Sequence, residues 1–160
     1  MTSRLPPILL LLASAAALAA VLIAQFGFGL EPCHLCTLQR VPYAFGLLVA
    51  LAASLEGRDQ RQRGMLLSVC ALIFATNLGL AFFHIGVEQH WWESACAEAQ
   101  KLSSNAGGLL ARLKAGKAEP ACDSVPFQIF GISLAGLNLI FSLVLTVYAA
   151  LAARRTFQQS

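Results

Sequence analysis

The sequence predicts an all-α membrane protein, a four-transmembrane-helix up-and-down bundle with one long loop between its third and fourth helices. Three observations predict it. Of 160 residues, 58% are apolar and only 12% charged, where soluble domains run near about 45–50% and about 25%. The apolar residues fall into four blocks separated by short polar stretches, and arginines crowd alternate gaps between those blocks. A formal charge of +3, with no basic run interleaved by aromatics, argues against a nucleic-acid partner.

A bilayer's hydrocarbon core is about 30 Å thick and a helix rises about 1.5 Å per residue, so a span needs about 20 mostly apolar residues. The first block runs from about Ile8 to Leu30 and is interrupted only by Ser14 and Gln25. The second, about Val41 to Leu55, is fifteen residues counted strictly, so it must borrow from Leu35 to Leu38 or sit in a thinned bilayer. The third, about Met65 to Ile85, holds Ser68, Thr76 and Asn77 but no charge. The fourth, about Phe127 to Ala153, carries Gln128, Ser133, Asn138, Ser142 and Thr146 as its polar residues. Lipid offers no partner to unpaired backbone groups, so each block should be helical and the four should pack as one domain. Arg4 and the small residues up to Ala20 also suit a cleaved signal peptide, but the apolar stretch continues past the usual h-region of about 7 to 15 residues.

Orientation follows from the short loops. Arg58, Arg61 and Arg63 fall in the gap from about 56 to 64, Arg154 and Arg155 follow the fourth block, and Arg4 precedes the first. These regions share one side in a four-span chain, which places both termini in the cytoplasm. The segments from about 31 to 40 and from about 86 to 126 then lie on the outer side. The longer one balances Lys101, Arg112, Lys114 and Lys117 against Glu88, Glu93, Glu98, Glu119 and Asp123. Trp91 and Trp92 suit an aromatic belt at that boundary, and residues 101 to 117 could form a short amphipathic helix on the membrane.

Four of the five cysteines occupy those outer segments: Cys33 and Cys36 as a C-x-x-C, and Cys96 and Cys122 in the long loop. Disulfides persist outside the cytosol. Four cysteines allow three connectivities and the sequence does not choose among them. The two-residue spacing makes Cys33 with Cys36 the economical pair, leaving Cys96 with Cys122. A C-x-x-C bridge closes too small a loop to be much of a staple, and this spacing serves where a thiolate is stabilised and a bond opened and closed. Cys96 and Cys122 alone could be a structural brace, gaining about 3 kcal/mol from loop closure. Cys70, inside the third block, is expected to be a small buried hydrophobe.

Covalent haem needs C-x-x-C-H, but Thr37 follows Cys36 and the histidine, His34, lies inside the pair. A zinc site drawn from Cys33, Cys36, Cys96 and Cys122 is opposed by an oxidising compartment and lacks paired histidine spacing. No metal is therefore expected. No G-x-G-x-x-G and no Walker sequence is present, so no flavin or nucleotide is expected either. His34 and His90 read as loop residues and His84 as an interfacial one. Arg40 follows Cys36 by four positions and Cys33 by seven, one face of a helix if the chain is helical there. It can snorkel to the interface, or stabilise a Cys36 thiolate or an anionic form bound beside it. Pro42 disfavours helix at Val41 and suits a helix start.

The run PCHLCTLQR entering the second block, two outer cysteines 26 apart and four spans together resemble the disulfide bond formation protein B (DsbB) family. His84, Gly86, Val87 and Glu88 before Trp91, and Phe130 to Ser133 opening the fourth block, are also similar to its members. The likeness covers essentially the whole chain. It implies a quinone-dependent thiol oxidase of the bacterial inner membrane, its redox cysteines in the periplasm, which reoxidises a thioredoxin-like DsbA-type protein. By that likeness the partner's thiolate attacks Cys96 to give a mixed disulfide, and electrons pass from Cys96 and Cys122 to Cys33 and Cys36. Cys36 then donates to ubiquinone or menaquinone, and Arg40 matches the quinone-site arginine. Gln39 stands where relatives can have an acid, and the 107 to 122 segment has its own composition. The competing class is a non-enzymatic four-span protein whose outer disulfides only brace its surface.

Overall fold

A computed structural model describes residues 4–55, 57–92, 122, 128–129 and 131–159. Its order is α1 (Leu5–Gly27), α2 (His34–Leu38), α3 (Arg40–Ser54), α4 (Gln60–Glu88), β1 (Gln128–Ile129), β2 (Ile132–Ser133) and α5 (Leu134–Phe157). Four helical segments are long and apolar enough to cross a membrane: α1, α2 with α3 as His34–Ser54, α4 and α5. The bundle expected from the sequence is what the chain forms.

Local chemistry sets the ends. Pro6 and Pro7 sit in the first turn of α1, where a missing N–H costs nothing. Cys33 caps α2, its Sγ accepting from the Cys36 N–H at 3.3 Å. The break at Gln39 between α2 and α3 falls three residues before Pro42, whose ring cannot donate to, and clashes with, the carbonyl four positions back. The second span thus starts at His34, and residues 35 to 38 add the length its apolar run lacked. Asp59 caps α4 by accepting from Gln62 N–H at 2.7 Å. Within the fourth apolar run the helix begins at Leu134. Residues 128–129 and 132–133 pair as a hairpin with Gly131 at φ 80°, and Ser133 then caps α5 by accepting from Gly136 N–H at 3.1 Å.

Two arginines of the 56–64 gap also cap a helix. Arg58 Nε donates to Ala52 O at 2.5 Å and Arg63 Nε to Ala53 O at 3.0 Å, satisfying carbonyls that the end of α3 leaves open.

The core runs along the bundle axis through Leu10, Tyr43, Ala50, Leu67, Cys70, Phe74, Leu145 and Ala149. Small residues let the helices approach, as membrane interfaces favour. At Gly46 a Cβ would meet the Phe74 ring at 2.8 Å, so α3 and α4 touch there only because the residue is glycine. Large side chains such as Leu12, Phe45, Leu48 and Leu72 face outward, the arrangement expected where lipid is the solvent. Helices α1 with α3, α3 with α4, and α4 with α5 pack extensively, while α1 and α5 meet only sparsely.

Candidate functional site

Where α1 and α5 diverge, a cavity of about 670 Å³ opens at the end of the bundle that carries the cysteines. Its α1 wall is a stripe spaced by four, Ala16, Ala20 and Ala24, faced by Phe141 and Val144 of α5. At the cysteine end the wall turns polar, with Cys33, Cys36, Gln39, Arg40, His84 and Glu88.

Cys33 is buried and Cys36 half-buried. Both are thiols here, Cys33 Sγ donating to Cys36 Sγ at 3.1 Å. That hydrogen bond, aided by burial, holds the proton on Cys33 and pushes its pKa up to about 12. An ordinary thiol ionises near about 8.5, so in the reduced protein at pH 8 iodoacetamide should alkylate Cys33 roughly 10³-fold more slowly than a cysteine in a flexible peptide. The rate should rise about tenfold per pH unit; peptide mapping after timed labelling checks both.

Arg40 lines the same cavity and its Nη1 donates to Gln25 Oε1 at 2.6 Å. Gln25, one of two polar interruptions in the first apolar block, thereby steers the guanidinium from the facing helix. Cys122 is 2% exposed and packs with Cys33, Leu35 and Val87, Cys36 and Trp92 lying against the same cluster. The structure therefore brings Cys33, Cys36, Arg40 and Cys122 to one end of the bundle. Cys96, with the rest of 93–121 and the segment expected as an amphipathic helix, lies outside the described residues.

Several residues at this site were given no site role from the sequence. His84 is 3% exposed, with Nε2 3.7 Å from Cys33 Sγ and 3.9 Å from Glu88 Oε1. It lies in the bundle rather than at a wet interface, and its spacing of four from Glu88 was the available signal. Cys33, Cys36 and His84 bring their donor atoms within 4.8 Å of one another, a set able to hold a thiophilic ion, with His84 in place of the two loop cysteines considered from the sequence. Behind them Asn138 Nδ2 donates to Gln39 Oε1 at 2.8 Å, and Tyr43 OH donates to Asn138 Oδ1. Asn77 Nδ2 donates to Ser142 Oγ at 2.9 Å, so α3, α4 and α5 are tied together by amides and hydroxyls. At the rim, Ser133 Oγ donates to Glu88 Oε2 at 2.6 Å, and Trp92 stacks on Phe83 with centroids 5.5 Å apart. A Cβ at Gly86 would lie 2.0 Å from the Trp92 ring, which accounts for glycine there.

The family model for disulfide bond formation protein DsbB matches residues 3–152. The chain belongs to the DsbB family. A DsbB-family relative named disulfide bond formation protein B, from Aromatoleum aromaticum, is 26% identical over 138 residues, covering 82% of this chain and 80% of the relative. No solved structure matches. The chain is thus a multi-pass membrane protein of disulfide bond formation, and the DsbB match takes in all five cysteines, Arg40 and His84.

Proposed function

We propose that the chain is an inner-membrane thiol:quinone oxidoreductase that reoxidises a periplasmic DsbA-like dithiol protein and so sustains disulfide formation. The observation that carries this is a C-x-x-C that lines an apolar cavity together with Arg40 while a third cysteine, Cys122, packs in one buried cluster with Cys33. Family membership supports it. The positive-inside rule places the arginine end of the bundle in the cytoplasm and the cysteine end in the periplasm.

The exchange steps balance as two-electron transfers. A partner thiolate attacks Cys96 of the Cys96–Cys122 disulfide, forming a mixed disulfide and releasing the Cys122 thiolate. The partner's second thiol then attacks its own sulfur in the mixed disulfide, leaving as the oxidised protein and freeing Cys96. Cys122, packed beside Cys33, attacks that sulfur in the Cys33–Cys36 disulfide and expels Cys36 as thiolate on the cavity side. Attack by Cys96 on Cys122 restores the outer disulfide and leaves Cys33 and Cys36 reduced.

A quinone suits the cavity on two grounds: long apolar walls accept ring and tail, and the polar end offers donors to a carbonyl oxygen. Arg40 would hold that oxygen, with Ala20, Phe141 and Val144 against the apolar part. When bound, ubiquinone or menaquinone supplies a two-electron, two-proton sink that no thiol on this chain provides. From the same polar end of the cavity, Arg40 would also favour an anion formed beside it.

The test mixes the purified protein with reduced DsbA-type protein and a soluble quinone and follows quinone absorbance. Turnover should vanish in Cys33→Ser and Cys96→Ser, and Arg40→Ala should raise the quinone KM more than it slows thiol exchange. Unchanged rates in the cysteine variants would leave two disulfides that only brace the outer surface.

A further inference from the structure

The orientation of one buried amide decides what His84 can do. Gln39 is 7% exposed, and its terminal Nε2 lies 3.4 Å from Leu80 O and 3.1 Å from His84 Nδ1. A carbonyl can only accept, so the Gln39 atom facing Leu80 is the nitrogen, and Oε1 is left to receive Asn138 Nδ2 at 2.8 Å. The second amide hydrogen points at His84 Nδ1. A ring nitrogen that accepts a hydrogen bond carries no proton, so the imidazole proton sits on Nε2, facing Cys33 Sγ at 3.7 Å and Glu88 Oε1 at 3.9 Å.

We propose that Gln39 is a positioning residue that holds His84 as the neutral Nε2–H tautomer, aiming a donor at the Cys33 sulfur and withholding that nitrogen from metal capture by the reduced pair. Two thiolates and one imidazole are a zinc donor set. A metal-ligating histidine nearly always donates its other N–H to an acceptor. Gln39 presents the opposite polarity, an N–H against Nδ1, so the three-donor cluster stays a hydrogen-bonded redox pair. A carboxylate at position 39 would accept from Nδ1–H, free Nε2 and build the arrangement that metal sites use. The benefit to catalysis rests on the proposed thiol oxidase function; the tautomer does not.

The test uses the full chain, reduced with a phosphine in detergent, with ¹⁵N-labelled histidine and His34→Asn and His90→Asn so that His84 is the sole histidine. The expected ¹⁵N spectrum has a protonated Nε2 and a bare Nδ1. Gln39→Glu should protonate Nδ1 and tighten Zn²⁺ binding by the reduced protein about 10- to 100-fold. A wild-type spectrum with Nδ1 protonated and Nε2 bare overturns the proposal, as does zinc affinity in Gln39→Glu equal to that of the parent. If Gln39→Glu does not fold, the wild-type spectrum alone decides. Quinone turnover with an Nδ1–H ring would sink this proposal and spare the oxidase; an Nε2–H ring without turnover would do the reverse.

Discussion

Cys36→Ser is expected to abolish quinone-linked turnover, by on the order of 10³-fold or more as for loss of a nucleophile, while leaving the protein folded. Cys36 is the more exposed of the pair and lines the cavity four positions before Arg40, so its sulfur is placed to leave toward that space. Serine keeps the volume but has neither the acidity nor the redox chemistry of a thiol. The partner dithiol should therefore stay reduced. Cys70→Ser is the control: that residue is fully buried in the bundle core, away from the cavity lining, and its replacement should leave turnover near wild type. Quinone absorbance with a reduced partner checks both, and retained turnover in Cys36→Ser would remove the C-x-x-C from the electron path.

The second large effect is structural. Asn138→Leu should destabilise the bundle by about 2–3 kcal/mol, because Asn138 joins three bonds that cross between helices, which inside a membrane protein average about 0.6 and reach about 1.7 kcal/mol each. Tyr43 OH and Asn77 Nδ2 donate to its Oδ1, and its Nδ2 donates to Gln39 Oε1. Tyr43 and Asn77 can fall back on Ser142 Oγ, at 3.2 and 2.9 Å. Gln39 Oε1 has no such second partner among the described residues. Unfolding in a detergent titration measures the loss, and Asn138→Asp, which keeps an acceptor for Tyr43, should recover part of it. A shift below about 0.5 kcal/mol would mean the network is not cooperative.

The four spans and the gathering of Cys33, Cys36 and Arg40 at one end of the bundle were legible in the sequence because both are written in local pattern: apolar length and the spacing of the cysteines and Arg40. The hairpin at 128–133 was not, because Gly131 and Ser133 sit inside an apolar run long enough to be read as one helix. Gln25, Tyr43 and Asn138 looked like isolated polar or aromatic residues in apolar blocks, and Gln39 like a departure from relatives within the cysteine motif. Their meaning lies in partners on other helices, 15 to 99 positions away, which periodicity cannot reveal. His84 was assigned to the interface for the same reason, since nothing local connects it to Cys33, 51 residues earlier.

On the proposed function, the Cys33 and Cys36 pair delivers two electrons to a quinone in the cavity. The most direct measurement takes a Cys96→Ser, Cys122→Ser double variant, reduces it, removes the reductant and adds a soluble quinone without any partner. One quinone should be consumed per chain, with Cys33 and Cys36 recovered as a disulfide by non-reducing peptide mapping. A pair that stays reduced while the quinone absorbance is unchanged would rule out electron transfer from Cys33 and Cys36 to quinone.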